Sequence, residues 1–587
     1  MNRISFRTSA VAALGLCLGA ACQAAGNAKL SADLQRAGSP ESLDVIVQFK
    51  DTPNAEDERN ITRRGGAVKN RFQYLKGGVY HVPSAALTEL AADPNVAYIS
   101  PDRAVKGLLD QADTTIGANL AASYNVSGAG IGIAVIDSGI AGVDDLKGKI
   151  AYSQLFNANA TKGDLYGHGT HVAGILAGSG KDSSGGQYFR TFHGVAQGAS
   201  LIDLQVLDQN GVGTDSMVIA AIEQAISLKS TYNIKVINLS LGRPVTESYK
   251  QDPLCQAVEQ AWKAGITVVV AAGNYGRSNP ATTYGYGTIT APGNDPYVIT
   301  VGAMNDMQTP TPTDDVITTY SSKGPTLYDM VAKPDIVAPG NLIDSLEAPG
   351  STIFTNYPQV DIALNLYENV PSVTAVASAV GSALSSMVSP NYIQLSGTSM
   401  ATPFVSAAAA LLLQQSPNMT PDQVKARLML TADKTTFPST SSYTDLATGT
   451  VYREWYNIFT IGAGYLNIGN ALQSAALSPS GLSATSPTLQ FNSNATLSFL
   501  NASNVVWGSN AVWGSNVVWG SNVVWGSNVV WGAGQVPTNS DLFLQATLTV
   551  LGANVVWGSN VVWGSNVVWG SSIAAGDTAS VFVNGDR

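Results

Sequence analysis

The residues able to do chemistry in this chain lie in three short blocks. Leu395 to Pro403 reads Leu-Ser-Gly-Thr-Ser-Met-Ala-Thr-Pro and opens the apolar run Phe404 to Leu413. Small residues leading into a helix put Ser399 at a helix start. Gly397 permits a sharp turn there, and the unpaired N–H groups of a first helical turn present positive potential to an oxyanion. A serine hydroxyl is a weak nucleophile near its ordinary pKa, so it needs a base and a carboxylate that orients the base. The chain has four histidines, at 81, 168, 171 and 193, and two of them fall in Gly167-His168-Gly169-Thr170-His171-Val172-Ala173-Gly174. Upstream, the apolar strand Ile131 to Asp137 ends in Asp137-Ser138-Gly139, and strand carboxyl ends are where open α/β sheets build their sites. The chemistry this set supports is acyl transfer through a serine.

Taken together and in this order, the Asp-Ser-Gly, His-Gly-Thr-His-Val-Ala-Gly and Gly-Thr-Ser-Met-Ala-Thr-Pro blocks resemble the three catalytic blocks of the subtilisin-like serine proteases. The resemblance implies that Asp137 orients, His168 is the base and Ser399 attacks, which leaves His171 as a packed histidine one helical turn on. A fourth block, strand Ile266 to Ala272 running into Gly273-Asn274-Tyr275-Gly276, implies an oxyanion donor at Asn274, with the Ser399 backbone N–H beside it. Without the other blocks, Asn274 reads as a turn former after a strand. Ile237 to Gly242 is similar to the segment lining the primary specificity cleft, so Ser240, Leu241, Gly242 and Gly273 are the expected substrate-binding residues. Tyr320 to Pro325 and Lys333 to Gly340 match further family landmarks.

The elements that must position these blocks alternate over residues 110–478. Strands near Ile131, Leu201, Val236, Val268 and Val298 interleave with helices near Val172, Met217, Leu254 and Ala407, the pattern of a parallel sheet with helices on both faces. All four blocks fall on its junctions. Ahead of it, residues 43–105 read strand, helix, strand, strand, helix, strand, a ferredoxin-like α+β unit. In that place it resembles the inhibitory propeptide of subtilisins; a permanent N-terminal domain is the other reading. Residues 1–24 carry Arg3 and Arg7, an apolar stretch from Ala10 to Ala21 and small residues near Gln23, the form of a secretory signal peptide. Cys22 invites a lipoprotein reading, against which Gly19 stands where an aliphatic residue belongs. Once the signal and its two cysteines are gone, Cys255 is left without a disulfide partner, a small core residue.

Three departures from the family pattern bear on function. The stretch 341–392 is an insertion whose small-residue run Val373 to Val388 is expected to pack as a helix. Thr290 stands where many members have glycine at the base of the specificity pocket, and Arg243 follows the cleft segment. Asp144 and Asp145 stand where the family often places a calcium ligand; hard-cation sites need six or more oxygens, and a solvated acidic turn explains the pair equally well. Catalysis itself needs no cofactor.

Only 12% of residues are charged, with net charge −10 and no basic tract, which argues against a nucleic-acid partner. The expected partners are protein or peptide substrates and the chain's own propeptide, in an exported protein. Residues 480–587 are different material, an all-β repeat tail in which Asn-Val-Val-Trp-Gly-Ser recurs with tryptophans at 507, 513, 519, 525 and 531, then 557, 563 and 569. An even period keeps every Trp on one face of a strand. Stacked hexads are therefore expected to support self-association or surface attachment, with carbohydrate binding or a bare repeat expansion as alternatives. A secreted serine endopeptidase made as a self-processed zymogen is the reading these features support; a non-catalytic adhesin on the same scaffold is the alternative.

Overall fold

The computed structural model describes residues 29–30, 34, 41–71, 76–101, 111–278, 283–368, 388–434, 437–438, 440–445, 448–477, 483–491 and 497–500, with short pieces of the tail at 517–518, 524–525, 529–530, 566–568 and 585–586. The expected signal peptide, residues 373–387 of the small-residue run and nearly all the hexads lie outside these residues. The chain divides into residues 1–106 and 107–587.

In the first unit, β1 (Ser42–Phe49), α1 (Ala55–Arg63), β2 (Ala67–Arg71), β3 (Gly77–Pro83), α2 (Leu87–Ala92) and β4 (Val96–Pro101) follow one another. The sheet order is β2-β3-β1-β4, antiparallel throughout, which is ferredoxin-like. Asn54 caps α1, and Asp57 returns the bond to the Asn54 N–H, so orphan donors at the helix start are met reciprocally. Val45, Val47, Ile61, Tyr80, Val82, Leu90 and Ile99 form its own buried core. His81 is half exposed and pairs with Asp44 at 2.7 Å.

The second unit begins with the short helix α3 (Gln111–Thr115) and is built on a sheet of eight strands. β6 (Ile150–Leu155), β7 (Ser200–Gln205), β5 (Gly132–Asp137), β9 (Ile234–Leu239), β10 (Thr267–Ala271) and β11 (Ile299–Asn305) lie side by side in parallel. β13 (Ile336–Pro339) joins β11 in parallel, and β12 (Val316–Ile317) joins it antiparallel. Every residue of β5, β10 and β11 is buried. Because alternate residues face opposite sides, both faces of these strands are covered. The covering helices include α4 (His168–Ala177), α5 (Asp215–Tyr232), α6 (Pro253–Lys263) and α8 (Thr398–Gln415), the last lying against β9, β10 and β11.

Of the small-residue run expected to be helical, only Val388 is among the described residues, and the rest of the described insertion carries short strands and helical turns. β14 (Ile343–Leu346), β15 (Asp361–Ala363) and β16 (Val388–Leu395) make a three-stranded antiparallel sheet with β16 at its centre, and the short helix α7 (Thr352–Asn356) connects β14 to β15. β16 delivers the chain directly into the Ser399 turn. After α8 come α9 (Pro421–Thr431), the hairpin β17 (Thr440–Thr444) and β18 (Val451–Trp455), and α10 (Ile468–Gln473).

The change of composition near 480 does not end the contacts with this unit. Ser486 donates from Oγ to Asp335 Oδ1 at 2.5 Å, inside the buried cluster of Lys333, Asp335 and Lys425, and the Ala332 N–H donates to Pro487 O at 2.9 Å. These contacts hold 483–491 to the catalytic unit. Further on, the short tail strand Asn566–Val568 pairs antiparallel with β8 (Val212–Thr214). Among the described residues no helix is long and apolar enough to cross a membrane.

Candidate active site

β5 ends at Asp137, α4 begins at His168, and a hydrogen bond joins the two: His168 Nδ1 to Asp137 Oδ1 at 2.8 Å, with both side chains buried. A carboxylate can only accept, so the bond fixes the proton on Nδ1 and leaves Nε2 as the acceptor. Ser138 N–H donates to the same carboxylate oxygen at 2.7 Å. Gly169 is required by the approach of α4 to this strand end, because a Cβ there would overlap Gly139 O and stand 3.2 Å from Asp137 Cβ.

Asp164 is a residue that sequence reasoning missed. Its buried carboxylate accepts from Gly167 N, Thr170 N, Thr170 Oγ1 and Ser138 Oγ at 2.6 to 2.8 Å. It therefore caps the first turn of α4 and ties that turn to the end of β5. Burial pushes its carboxyl above the ordinary range, against the opposing pull of the hydrogen bonds from Thr170, Gly167 and Ser138. Only an acidic residue four positions before His168 marked it in sequence. Tyr166 stacks on the His168 ring with centroids 6.4 Å apart.

His171, one turn along α4, is fully buried, and its Nε2 donates to Ile343 O at 3.0 Å. Burial first, and the neighbouring His168 second, lower its pKa to about 3. It is a neutral packed histidine that fastens β14 to α4. His193 belongs elsewhere, 3.5 Å from Asp113.

Ser399 occupies the first turn of α8, which packs on α4. Gly397 precedes it at φ +151°, where a Cβ would stand 3.1 Å from Asn274 Nδ2. Asn274 Oδ1 accepts from Thr398 N at 2.9 Å and from Thr398 Oγ1 at 3.0 Å, so the amide is oriented with Nδ2 as the remaining donor. Ser399 Oγ donates to Ser240 O at 3.2 Å, and Ser240 Oγ donates back to Ser399 O at 2.8 Å. The second bond has a sequence cause. Pro403 lacks the N–H that would bond Ser399 O four residues earlier, and Ser240 satisfies the freed carbonyl. Asn238 extends this seam, bonding Ser240 Oγ and Ser406 Oγ.

Two of the expected substrate-binding residues, Gly242 and Gly273, face one small side chain. Thr290 is buried between Gly242 and Gly273: a Cβ on either glycine would meet its side chain at 2.5 to 2.6 Å. Its hydroxyl donates to Ala272 O at 3.2 Å. Leu241 is buried. Arg243 is held by both oxygens of Asp215 at 2.9 Å and of Asp252 at 2.8 and 2.9 Å, so its charge is already neutralised within the fold. Asp144 is exposed and paired with Lys181 at 2.6 Å. Asp145 is buried and accepts from Tyr392 Oη at 2.7 Å and Asp182 N at 3.0 Å, serving as an anchor for the insertion sheet. Among the described residues no group of three or more His, Cys, Asp or Glu is arranged to hold a metal ion.

A carboxylate, an imidazole and a helix-start hydroxyl held beside an amide donor are the parts of a serine acyl-transfer site. Comparison with protein families matches residues 128–453 to the subtilase family, peptidase S8. Serine protease AprX of Bacillus subtilis is 37% identical over 376 residues, covering 62% of this chain and 76% of that protein. Subtilisin E of the same organism is 33% identical over 395 residues, 66% of this chain and 84% of its own length. The extracellular serine proteinase of Thermus sp. Rt41A is 33% identical over 368 residues, 60% and 70% of the two chains. A family match over more than half of the chain, on a site of this construction, places the chain in the subtilase family as a subtilisin-like serine endopeptidase.

Proposed function

We propose that this endopeptidase works through an acyl-enzyme on Ser399, and that it is exported and made as a zymogen which it processes itself. The observation that carries the catalytic part is the buried 2.8 Å bond between Asp137 and His168, set at the start of a helix packed on the helix of Ser399. The Ser399 hydroxyl leaves Ser240 O by a rotation about χ1 and attacks the peptide carbonyl as His168 Nε2 takes its proton. The developing oxyanion accepts from Asn274 Nδ2 and the Ser399 N–H, donors fixed before the reaction begins. The tetrahedral intermediate collapses, His168 returns the proton to the leaving amine, and water releases the acid by the same steps in reverse roles. Asp137 keeps the proton on Nδ1 and stabilises the imidazolium.

Protein or peptide chains are the substrates. The ferredoxin-like unit ahead of the catalytic unit supports its reading as an inhibitory propeptide, and the charged and apolar pattern of residues 1–24 supports export. Two measurements test this. A fluorophosphonate probe should label the wild-type chain at Ser399 and fail to label Ser399→Ala. The same variant should keep residues 25–105, whereas the wild-type chain is cut between about Arg103 and Asp110. Normal maturation of Ser399→Ala by mass spectrometry would assign the cut to another protease.

A further inference from the structure

The dipeptide Gly585–Asp586 lies inside the catalytic unit, in a slot made by residues far away in sequence. Asp586 Oδ1 accepts from Arg277 Nη2 at 2.7 Å and Thr319 Oγ1 at 2.8 Å, and Oδ2 accepts from Thr319 N at 2.7 Å. Its own N–H donates to Asn341 Oδ1 at 2.8 Å, and its carbonyl accepts from Asn305 Nδ2 at 3.2 Å and Asn341 Nδ2 at 3.3 Å. Side chain and backbone are thus both read. Gly585 has φ +57°, and a Cβ on it would overlap Asn341 Oδ1 and Ser396 Oγ, so the slot demands glycine followed by aspartate. The Arg277 side chain is 5% exposed and the Asp586 side chain 4%. The Tyr443 and Tyr452 rings of the β17–β18 hairpin flank the guanidinium at 5.5 and 4.9 Å.

The slot borders both loops that supply oxyanion donors. Asn341 follows Gly340, whose carbonyl accepts from Gly397 N at 2.7 Å and Tyr320 Oη at 2.9 Å. Ser396 Oγ accepts from Leu342 N at 2.9 Å, closing segment 340–342 onto the Ser399 turn. On the other side, Arg277 is three residues beyond Asn274, and Gly276 N–H donates to Tyr320 O at 2.8 Å. We propose that Gly585–Asp586 is an internal ligand of the catalytic unit and that Asp586 is a positioning residue for the Ser399 turn and the Asn274 loop. Without its side chain, the carboxylate left to Arg277 is Asp445 at 3.6 Å, and the Thr319 N–H and hydroxyl lose an acceptor. Buried donors left in that state are costly, and the loops holding them shift until they are satisfied again. Small displacements at a reacting centre are expensive in rate.

The test uses the full chain, with Asp586→Ala, Asp586→Asn and, as a control for the ionic surroundings of Arg277, Asp445→Asn. Active sites are first titrated with a fluorophosphonate, so that rates refer to competent enzyme. Asp586→Ala should lower kcat on a short peptide substrate on the order of tenfold at unchanged KM, Asp586→Asn less, and Asp445→Asn not at all. Amide exchange over residues 316–322 should be slow in the wild-type chain and faster in Asp586→Ala. Wild-type kcat in Asp586→Ala, or a loss that disappears on titration, would overturn the positioning role. Fast exchange at Thr319 and Asp586 in the wild-type chain would overturn the docking itself, and this needs no variant that must fold. The positioning role rests on Ser399 as nucleophile; failure of the probe to label the wild-type chain would sink that reading, while exchange at Thr319 still decides the docking.

Discussion

Removing the Asn274 amide separates two jobs that one side chain performs. Its Oδ1 accepts from Thr398 N and Oγ1, which holds the turn before Ser399; its Nδ2 is the proposed oxyanion donor. Loss of a preorganised donor of this kind costs about 3 kcal/mol in the transition state, or roughly 150-fold in kcat at about 1.36 kcal/mol per factor of ten. Asn274→Ala also strips Thr398 of its acceptor, so its loss mixes both jobs. Thr398→Val removes two neutral hydrogen bonds, the one to Oδ1 and the one Thr398 Oγ1 accepts from Gly273 N at 3.1 Å, worth about 1 kcal/mol each, and should cost at most roughly thirtyfold. Asn274→Asp keeps an acceptor for Thr398 and replaces the donor by an anionic oxygen facing the forming oxyanion; it should lose at least as much as Asn274→Ala. The assay is kcat and KM on a chromogenic peptide, normalised by active-site titration, with the losses expected in kcat. A variant Asn274→Asp within tenfold of wild type, or Thr398→Val as damaged as Asn274→Ala, would show that Asn274 is a scaffold residue and not the donor.

Thr290→Gly empties the space between Gly242 and Gly273 and should shift preference toward larger side chains at the cleaved bond, read as kcat/KM across a peptide series; an unchanged ranking would place the specificity pocket elsewhere. His171, with its pKa lowered to about 3 by burial against about 6.5 unfolded, contributes stability that is complete above pH 6.5 and is lost as pH falls toward 3. The slope is about 1.36 kcal/mol per pH unit. His171→Gln should therefore flatten the acid limb of denaturant unfolding between pH 6 and 4, and parallel limbs would refute the assignment. Because the proposed mechanism activates the hydroxyl through His168 and meets the oxyanion with hydrogen bonds, a chelator should leave the initial rate intact and act, through any calcium bound to the folded state, on melting temperature alone; immediate loss of turnover in folded enzyme would contradict this. Truncation after Ala502 should lower kcat to the Asp586→Ala level and no further, while reducing self-association by sedimentation. A larger loss of turnover would make the Trp repeats part of the catalytic unit.

What the sequence revealed, it revealed through local signals. Asp137, His168, Asn274 and Ser399 each stand at a junction where a strand stops or a helix starts, and Gly397 or Gly273 marks the turn with a residue that few others could replace. What it hid depends on pairing at a distance. Arg243 reads as a charge beside the cleft until the fold brings Asp215 and Asp252, 28 and 9 residues away, onto its guanidinium. Ser240 reads as cleft lining, yet its hydroxyl answers the carbonyl that Pro403 leaves free 159 residues on. Asp164 is an ordinary loop aspartate in sequence, and only the approach of Ser138 and the first turn of α4 makes it a cap. The boundary near 480 follows a change in composition, whereas Ser486 is recruited by a buried charge cluster that no local pattern announces.

The tail shows the same limit more sharply. Gly-Asp is turn chemistry wherever it occurs, and nothing near 585 distinguishes this copy. Its partners Asn341, Thr319 and Arg277 lie 245, 267 and 309 residues earlier. Asn566–Val568, in the last hexad, pairs with β8, and the chain length that the hexads add enters the closure of this loop logarithmically, about 0.6 kcal/mol for each doubling. Gaining or losing one hexad changes that by a small fraction. Copy number can therefore drift with little effect on the docking of Asp586, while a side chain at 585, which would overlap Asn341 and Ser396, removes it in one step.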